Sequence, residues 1–404
     1  MSSIKTIDLL VISVACHAAV NRKIYRLFVD EGYSVEILLP KSIQLSGGEY
    51  NSDPRQEDDP VIFTENLVGS NSRFQYFENQ LYWILEKRPK CILLDNDPIS
   101  LNAMLLGVWC YFNKVKLCCI SCENQPTGIL ENIYRKGPSS IISSVIKKIL
   151  LKFTVQLMDT VFTINDSGSK IFKDLKFRNV IQMPLGFDPK IFHINAAARK
   201  SIRLNLEVNQ FLVGFFGRVT REKGVLILLE ALGTIKDLDW VLLMDEFAHY
   251  KTDFNKEVDE CIERLGISNR ILHANPSHSE MGEYINSVDL VVMPSVSTKN
   301  WIEQYGRIAA ESMACGKLVI ASNSGALPML IESHGITFNE GNVKELAEKI
   351  RGVITSEIVA IDNLDPAIIS DYALEKLSIH RQKIIMQDHL FHGVFVKSCG
   401  WNST

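Results

Sequence analysis

Two glutamates, Glu303 and Glu311, stand with seven residues between them in the stretch EQYGRIAAE. Gly306 interrupts this stretch and helix formers follow, which predicts Glu303 on a loop and Glu311 about two turns inside a helix. The first turn of a helix offers unpaired backbone N–H groups and a positive dipole end, which suit a phosphate. Carboxylates on either side of that phosphate could hold a sugar and a ribose. An isolated pair of glutamates is also common on the solvent face of a helix.

A second group of charges follows an apolar run in the stretch FFGRVTREKG. Gly217 ends a predicted strand, Arg218 comes next, and Lys223 precedes Gly224, which opens a predicted helix. Both cations would lie at the carboxyl end of the strand, where Arg218 could grip a diphosphate in a fork and Lys223 could act as a point charge. A solvated basic loop is an equally good interpretation of this segment alone. The residue order is not that of a P-loop.

A third segment, 322–328, has the sequence SNSGALP and also follows a predicted strand. A turn of small residues around Gly325 can present backbone N–H groups to an anion. Most such turns bind nothing. Each of the three segments therefore has a structural interpretation beside the ligand-binding one.

The composition is that of a globular protein. The chain has 404 residues, of which 46% are hydrophobic and 22% charged, and a net charge of −4. This length predicts two domains of about 200 residues. The slightly acidic balance argues against a nucleic-acid partner, because nucleic-acid-binding proteins favour basic surfaces.

The nine cysteines show no spacing typical of secreted proteins, which favours a reducing compartment. Cys119 and Cys122 have CxxC spacing within an apolar run. In such a run, buried cysteines are more common than a metal or redox site. The N-terminal apolar run carries Asp8 and no small-residue cleavage site, and no stretch reaches about 18 apolar residues. We expect a cytoplasmic protein, or one held peripherally on the inner face of a membrane.

Short apolar runs alternate with helical patterns, which indicates parallel sheets covered on both faces. The predicted strands are 9–14, 34–39, 61–64, 91–94, 115–120, 161–164, 180–183, 211–216, 240–244, 271–273, 290–293, 318–321 and 335–338. The predicted helices are 22–31, 72–88, 99–113, 225–232, 255–265, 280–288 and 343–353. Residues 41–60 are predicted to be a loop, and the proline- and glycine-containing segment 184–192 a domain boundary. Ligands of such sheets bind beyond the carboxyl ends of the strands, so the cleft between the domains is the expected site.

The three segments together resemble the retaining glycosyltransferases of glycosyltransferase family 4, the glycosyl transferases group 1. The layout is similar over nearly the whole chain, and the motifs match from about 210 to 330. The resemblance implies the α/β GT-B fold, with two tandem doubly wound, Rossmann-like domains facing a cleft. It implies an acceptor-side domain over 1–190, a nucleotide-sugar-binding domain over 191–375, and a C-terminal helix and tail over 376–404 that returns to the first domain.

The resemblance also assigns roles to the motif residues. Arg218 and Lys223 would neutralise the donor diphosphate, Glu303 would contact the transferred sugar, and Glu311 would bind the ribose. The other residues that would surround the donor are Gly217, Tyr305, Gly306, Arg307 and Gly325. The donor would be a UDP- or GDP-linked sugar, with no cofactor.

No metal is expected, because the two cations and the helix N-terminus would supply the charge at the leaving group. The pair Asp95 and Asp97 imitates the D-x-D of metal-dependent transferases, but Pro98 follows directly, which favours a turn.

The chain departs from the family pattern in its first half. His17 stands in the loop where the family has a glycine pair, and it is either a phosphate or acceptor contact or a solvated histidine. Glu123 stands near the place of a family histidine, where it could orient the sugar or acceptor or be an ordinary strand-end carboxylate. In the second half, Met329 replaces a usual glutamate, and the segment 244–247 replaces a glycine-rich turn.

A basic, apolar segment over 132–158 holds five cations and no acidic residue: Arg135, Lys136, Lys147, Lys148 and Lys152. From residue 141 its apolar residues fall on one helical face with three lysines opposite. This pattern is typical of a helix lying on anionic lipid, and also of a domain helix with a solvated basic face.

We therefore expect transfer of a sugar to a hydroxyl of a glycan or lipid-linked acceptor, in cell-surface polysaccharide synthesis. The alternatives are another enzyme of the same architecture, such as an epimerase or a phosphorylase, and a non-catalytic nucleotide-sugar-binding protein. A phosphorylase should show a cofactor-binding lysine motif, which the sequence does not contain. Donor hydrolysis without acceptor would distinguish a transferase from a binder.

Overall fold

The computed structural model describes residues 6–45, 48–69, 73–125, 140–245, 253–357 and 364–392. Contacts divide the chain into two units, one of Met1–Met183 with Gln382–Thr404 and one of Pro184–Arg381. The sequence places a boundary after residue 190, and the contacts place it after Met183.

The first unit is built on a seven-stranded parallel sheet with the order β11-β10-β9-β8-β1-β2-β5. Its strands are β1 (Leu9–Ser13), β2 (Val35–Pro40), β5 (Val61–Glu65), β8 (Cys91–Asp95), β9 (Lys116–Ser121), β10 (Thr160–Thr163) and β11 (Val180–Gln182). Strands β1 and β10 are buried along their whole length, because helices cover both faces of a parallel sheet. The strand order reverses between β1 and β8, so their carboxyl ends form the crevice where such folds bind ligands.

The helices of this unit follow the strands in the alternation expected from the sequence. They are α1 (Lys23–Asp30), α2 (Gln80–Lys87), α3 (Leu101–Asn113), α4 (Ser140–Leu157) and α5 (Asp166–Asp174). Ser100 caps α3 by accepting the Ala103 N–H, which satisfies one unpaired donor of the first turn. Within the described residues, no helix has the length and apolar character needed to cross a membrane.

The second unit holds a six-stranded parallel sheet with the order β14-β13-β12-β15-β16-β17. Its strands are β12 (Phe211–Phe215), β13 (Trp240–Asp245), β14 (Ile271–Ala274), β15 (Leu290–Met293), β16 (Leu318–Ser322) and β17 (Ile336–Phe338). Counted within the unit this is the order 3-2-1-4-5-6 of a Rossmann fold, whose ligand crevice lies beyond the carboxyl ends of β12 and β15.

Nine helices accompany this second sheet in the described part of the chain. They are α6 (Ala196–Asn205), α7 (Val225–Thr234), α8 (Phe254–Leu265), α9 (Met281–Ser287), α10 (Arg307–Ala314), α11 (Leu327–Ile331), α12 (Val343–Ile354), α13 (Pro366–Leu377) and α14 (Ile379–Leu390). The core between sheet and helices is apolar and centred on the fully buried Trp240. Helix α14 begins in the second unit, but its residues from Gln382 onward belong to the first.

Two local predictions were wrong. The predicted loop over 41–60 contains an antiparallel hairpin of β3 (Ser42–Leu45) and β4 (Gly48–Asn51). The helix predicted over 72–88 begins only at Gln80, because Tyr76–Phe77 forms β7 and pairs with β6 (Leu67–Val68).

The C-terminal helix expected from residue 376 begins after a break between α13 and α14. There the Ile379 N–H donates to the Phe187 carbonyl at 2.9 Å instead of continuing a helix. A Cβ on Gly186 would lie 2.3 Å from Ile379 Cα, so this crossing of two backbones depends on glycine.

Candidate functional site

The loop between β12 and α7 carries the two predicted diphosphate ligands. Gly217 has φ +145° and open space around a would-be Cβ, so the backbone here can be approached closely. Arg218 is exposed, and no contact among the described residues engages its guanidinium. Gly224 has φ +69°, and a Cβ there would lie 1.8 Å from the Pro294 carbonyl oxygen. This close approach holds the loop after β12 against the loop after β15.

Lys223 and Glu303 meet between these two loops. Lys223 Nζ lies 2.6 Å from Glu303 Oε2, which also accepts a hydrogen bond from Ser295 Oγ at 2.9 Å. Glu303 is buried, and the half-buried Trp301 ring lies 5.2 Å from Lys223 Nζ in a cation–π contact. An ammonium group has three donors, so Lys223 can hold Glu303 and still offer N–H groups to an anion.

Helix α10 begins one residue after Gly306, which has φ +91°. Gly306 is the N-cap residue and has no side chain with which to cap the helix. The Tyr305 side chain is buried, and burial raises the pKa of its phenol. Its backbone, rather than its ring, is therefore the part that can face a ligand.

Glu311 is the fifth residue of α10, so it lies about one turn into the helix rather than two. Its side chain is 3% exposed, and burial raises its pKa to about 8, against an opposing effect of the Arg307 charge. No hydrogen bond to its carboxyl group is found among the described residues. A ligand that donates hydrogen bonds to such a buried carboxyl group, which has no hydrogen bond among the described residues, would stabilise it.

Gly325 is tied to Glu303 through the backbone. A Cβ on Gly325 would lie 2.0 Å from the Glu303 carbonyl oxygen, and the next residue, Ala326, donates its N–H to that oxygen at 3.1 Å. The segment 322–328 therefore holds the backbone of Glu303 in place.

Sequence reasoning missed the side chains that support the loop after β15. Glu340 accepts hydrogen bonds from the Ser297 N–H at 2.9 Å and from Ser297 Oγ at 2.8 Å, and Ser297 Oγ lies 3.0 Å from Ser324 Oγ. Ser295 directly follows a strand and a proline, which is the one sequence signal that could have drawn attention to it. The remaining partners come from distant parts of the chain.

In the first unit, His17 lies at the end of a short 3-10 helix after β1. It is half-buried, and burial lowers the pKa of its imidazole. The loop that carries it is fixed by Arg22, which is fully buried and was not singled out from the sequence. Its guanidinium donates to four carbonyl groups, of Cys16, His17, Asp53 and Pro54, and pairs with the Asp59 carboxylate at 3.0 Å.

Asp95 and Asp97, which resemble a D-x-D motif, do not bring their carboxylates together in one site. Asp95 accepts a hydrogen bond from Ser13 Oγ at 2.6 Å, whereas Asp97 accepts one from Ser121 Oγ. Burial raises the pKa of Asp95, and it raises that of Asp97 to about 6. Within the described residues, no group of three His, Cys, Asp or Glu side chains could hold a metal ion.

Glu123 lies just beyond the carboxyl end of β9, where its Oε2 is 2.7 Å from Lys147 Nζ. Both side chains are largely buried, so Glu123 is not a solvated strand-end carboxylate.

The basic segment over 132–158 was expected to carry three lysines on the solvent-facing side of one helix, and this is wrong for Lys147. Lys147 points inward from α4, while Lys148 and Lys152 are exposed. Arg135 and Lys136 lie outside the described residues, as do residues 246 and 247 of the altered turn.

Comparison with known proteins identifies the region that carries the main site. Residues 198–367 match the family model of the glycosyl transferases group 1. The matched residues lie within the second unit, Pro184–Arg381. The D-inositol 3-phosphate glycosyltransferase of Paenarthrobacter aurescens is 30% identical over 153 residues, which are 37% of this chain and 36% of that protein. The lipopolysaccharide 1,2-N-acetylglucosaminetransferase of Salmonella typhimurium is 27% identical over 152 residues, 36% of this chain and 39% of that protein.

These alignments thus span little more than a third of the curated relatives. The similarity of fold extends further. The Anabaena protein HepE, solved in complex with UDP, has a TM-score of 0.69 at 18% identity, covering 95% of this chain and 99% of that one. The predicted α/β class with two Rossmann-like parallel-sheet domains, as in GT-B glycosyltransferases, is confirmed.

Within the matched residues 198–367, the structure brings Lys223, Glu303 and the Gly325 turn together at the ends of β12, β15 and β16. Arg218 lies on the β12 loop, and Gly306, Arg307 and Glu311 follow on α10. The second unit therefore carries Lys223 paired with the buried Glu303, and the buried Glu311 on the helix that follows Gly306. His17 and Glu123 lie in the other unit, at the carboxyl ends of β1 and β9.

Proposed function

We propose that this protein is a retaining glycosyltransferase that moves a sugar from a nucleotide diphosphate sugar to a hydroxyl group. The observation that carries the proposal is the contact of Lys223 with Glu303, because a cation beside a buried carboxylate suits a site that binds both a phosphate and a sugar. The match of residues 198–367 to the glycosyl transferases group 1 supports it. UDP-sugars are the first donors to test, since HepE has been solved with UDP-glucose as well as UDP.

The residues of the crevice suit the separate parts of such a donor. The N-terminus of α10 and the exposed Arg218 would offer donors to the diphosphate, and Lys223 would add a point charge. Glu311, which is buried without a hydrogen-bond partner in the described chain, would accept hydrogen bonds from the ribose hydroxyls. Two hydroxyl donors would favour its ionised form and lower its pKa from about 8.

The reaction breaks the bond between the anomeric carbon and the diphosphate oxygen. Arg218, Lys223 and the helix N-terminus stabilise the negative charge that develops on the leaving diphosphate, without a required metal ion. A diphosphate oxygen on the face of the incoming acceptor takes the proton of the acceptor hydroxyl, whose oxygen forms the new bond to the anomeric carbon on that same face. Glu303 holds the hydroxyls of the donor sugar and stabilises positive charge on its ring.

The acceptor in this proposal is a glycan or a lipid-linked acceptor used in cell-surface polysaccharide synthesis, and the reaction takes place in the cytoplasm. Glycosyltransferases named for inositol phosphate and lipopolysaccharide acceptors are among the relatives, which supports a hydroxyl acceptor. The buried Glu123–Lys147 pair and His17 are the first-unit residues we propose to orient it.

A panel of UDP-, GDP- and ADP-sugars tests the proposal. We expect one nucleotide to raise the melting temperature and one of its sugars to be released slowly by hydrolysis without acceptor. The stereochemistry of the anomeric product, read by NMR, tests retention, and unchanged turnover in EDTA tests metal independence. No stabilisation by any nucleotide would refute the proposal.

A further inference from the structure

Helix α4 turns much of its apolar surface outward. Five apolar side chains are exposed along it: Ile141, Ile142, Val145, Ile149 and Phe153. Its buried side includes Ser144, Thr154 and the paired Lys147 beside two leucines. A surface helix of a globular domain normally shows the opposite distribution, with its apolar stripe facing the core. Ile142, at 73% exposure, is nearly as accessible as in an unfolded chain.

Helix α3 extends this apolar surface. Leu105, Val108 and Phe112 are exposed on it, with Phe112 at 77%. The two helices touch where a Cβ on Gly107 would lie 2.7 Å from Leu157 Cβ. At 100° per residue, Ile149 and Phe153 fall on the outer side of α4 next to this contact, and Val108 and Phe112 on the adjoining side of α3.

The two rows lie on helices that contact each other, and together we call them the α3/α4 surface: Leu105, Val108, Phe112, Ile142, Val145, Ile149 and Phe153. Scattered exposed apolar residues are normal on a protein, but seven of them on two neighbouring helices indicate a binding surface.

The charges around the α3/α4 surface are all positive on its two helices. Lys148 and Lys152 are exposed on α4, Lys114 follows the end of α3, and neither helix contains an aspartate or glutamate. Aliphatic and phenylalanine side chains enter the region below lipid headgroups, while lysines reach outward to lipid phosphates. The combination is complementary to an anionic bilayer.

We propose that the α3/α4 surface docks the protein on an anionic lipid bilayer, with both helices lying along the membrane plane. A second copy of the chain fits this surface less well. In a two-fold symmetric dimer the surface would meet itself, and it would bring lysines together without acidic partners on these helices. The inference goes beyond the proposed glycosyl transfer and does not depend on the donor site.

Flotation of the full chain with lipid vesicles tests this inference. One vesicle contains phosphatidylcholine alone, and the other equal amounts of phosphatidylcholine and phosphatidylglycerol. The wild type should float with the anionic vesicles only, and salt should weaken its binding. The double variant Ile149→Gln/Phe153→Gln should bind about tenfold more weakly, and Lys148→Ala/Lys152→Ala should lose much of the preference for anionic lipid.

The matched control is Lys200→Ala/Leu204→Gln on α6, which removes an exposed lysine and an apolar side chain that is 74% exposed. It should float as the wild type does. Because all these side chains are exposed, circular dichroism should show every variant folded.

Three results would overturn the inference. The wild type could stay unbound with both vesicles, the α6 control could lose as much binding as the α4 variants, or sedimentation could show a dimer that Ile149→Gln/Phe153→Gln dissociates. Vesicle binding is measured without donor or acceptor, so the donor-site variant Lys223→Ala should float normally. Failure of this inference therefore leaves the proposed catalytic function to its own test.

Discussion

Lys223 Nζ and Glu303 Oε2 lie 2.6 Å apart, although 80 residues separate them in the chain. The pair joins the loop after β12 to the loop after β15, and Ser295 completes it from the second loop. A side chain assigned to the diphosphate and one assigned to the transferred sugar are thus held in a single contact. We infer that neither can be changed without affecting the other.

Replacing either partner should reduce turnover strongly. We expect Lys223→Ala and Glu303→Ala each to lower kcat by about 10²–10³-fold, because each removes charge aimed at the transition state. The double variant should lose less than the product of the two single losses, since the residues act as a unit. Steady-state kinetics with the donor found by the sugar panel gives all three values.

The neighbouring ion pair Arg221–Glu257 provides the control for these Lys223 and Glu303 variants. It lies two residues from Lys223 but is solvent-exposed at both ends. Exposed pairs contribute about 0–1 kcal/mol, so Arg221→Ala should keep its melting temperature within a few degrees and its turnover unchanged. Equal activity of Lys223→Ala and Arg221→Ala would contradict the assignment.

Gly325→Ala should displace Glu303. The new Cβ would lie 2.0 Å from the Glu303 carbonyl oxygen at φ +56°. We expect about 1–2 kcal/mol of lost stability from the left-handed backbone and about 1–3 kcal/mol more from the overlap, together with a large loss of kcat. Urea denaturation and kinetics measure the two effects.

Gly266→Ala measures the stability cost of a left-handed alanine without the cost of a steric clash. Gly266 has a similar φ of +65° but nothing within 4 Å of a would-be Cβ. Its substitution should lower the free energy of unfolding only through the left-handed backbone conformation, and kcat should stay unchanged. If both alanine variants lose the same stability and activity, the close approach to Glu303 is not important.

Glu311 should make the stability of the free protein depend on pH. Burial raises its pKa from 4.5 to about 8, so between these values the folded state binds more protons than the unfolded state. Stability from this group is therefore complete below about pH 4.5 and falls as the pH rises to about 8. Glu311→Gln should remove that decline, and its advantage over the wild type should grow by about 1–4 kcal/mol between pH 5 and 8.

Urea denaturation at several pH values measures this difference. Glu260→Gln, which replaces an exposed glutamate on α8, should show no comparable change with pH. A bound nucleotide that donates hydrogen bonds to Glu311 should flatten the wild-type profile. A Glu311→Gln profile parallel to the wild type would contradict a strongly raised pKa.

Arg22 should be among the most important residues for the stability of the first unit. Arg22→Met would leave the fully buried Asp59 with Arg26 as its remaining cation and four carbonyl groups without their donor. Breaking a buried pair costs about 3–5 kcal/mol. Lys90→Ala, which removes the exposed Lys90–Asp8 pair, should cost about 0–1 kcal/mol in the same urea titration. Similar losses in the two variants would show that the Arg22 contacts contribute little.

The amino-acid sequence by itself determined the two parallel-sheet domains, because runs of Val, Ile and Leu alternate with helical patterns and the breaks fall at glycine and proline. It also predicted that Arg218, Lys223, Glu303 and Gly325 each follow a strand, which is the basis for proposing these segments as the donor site. Parallel strands bring their carboxyl ends to one edge of a sheet, so the rough placement of these segments follows from local patterns.

The tertiary structure alone decided which of these residues touch. Lys223 binds Glu303, Gly325 holds Glu303 through its backbone, and Arg22 fixes the loop of His17, and these contacts join positions between 5 and 80 residues apart. It also decided that α4 buries Lys147 and exposes Phe153, against the pattern expected from the sequence. Burial and pairing depend on what packs against a residue, and local periodicity carries no information about the partner.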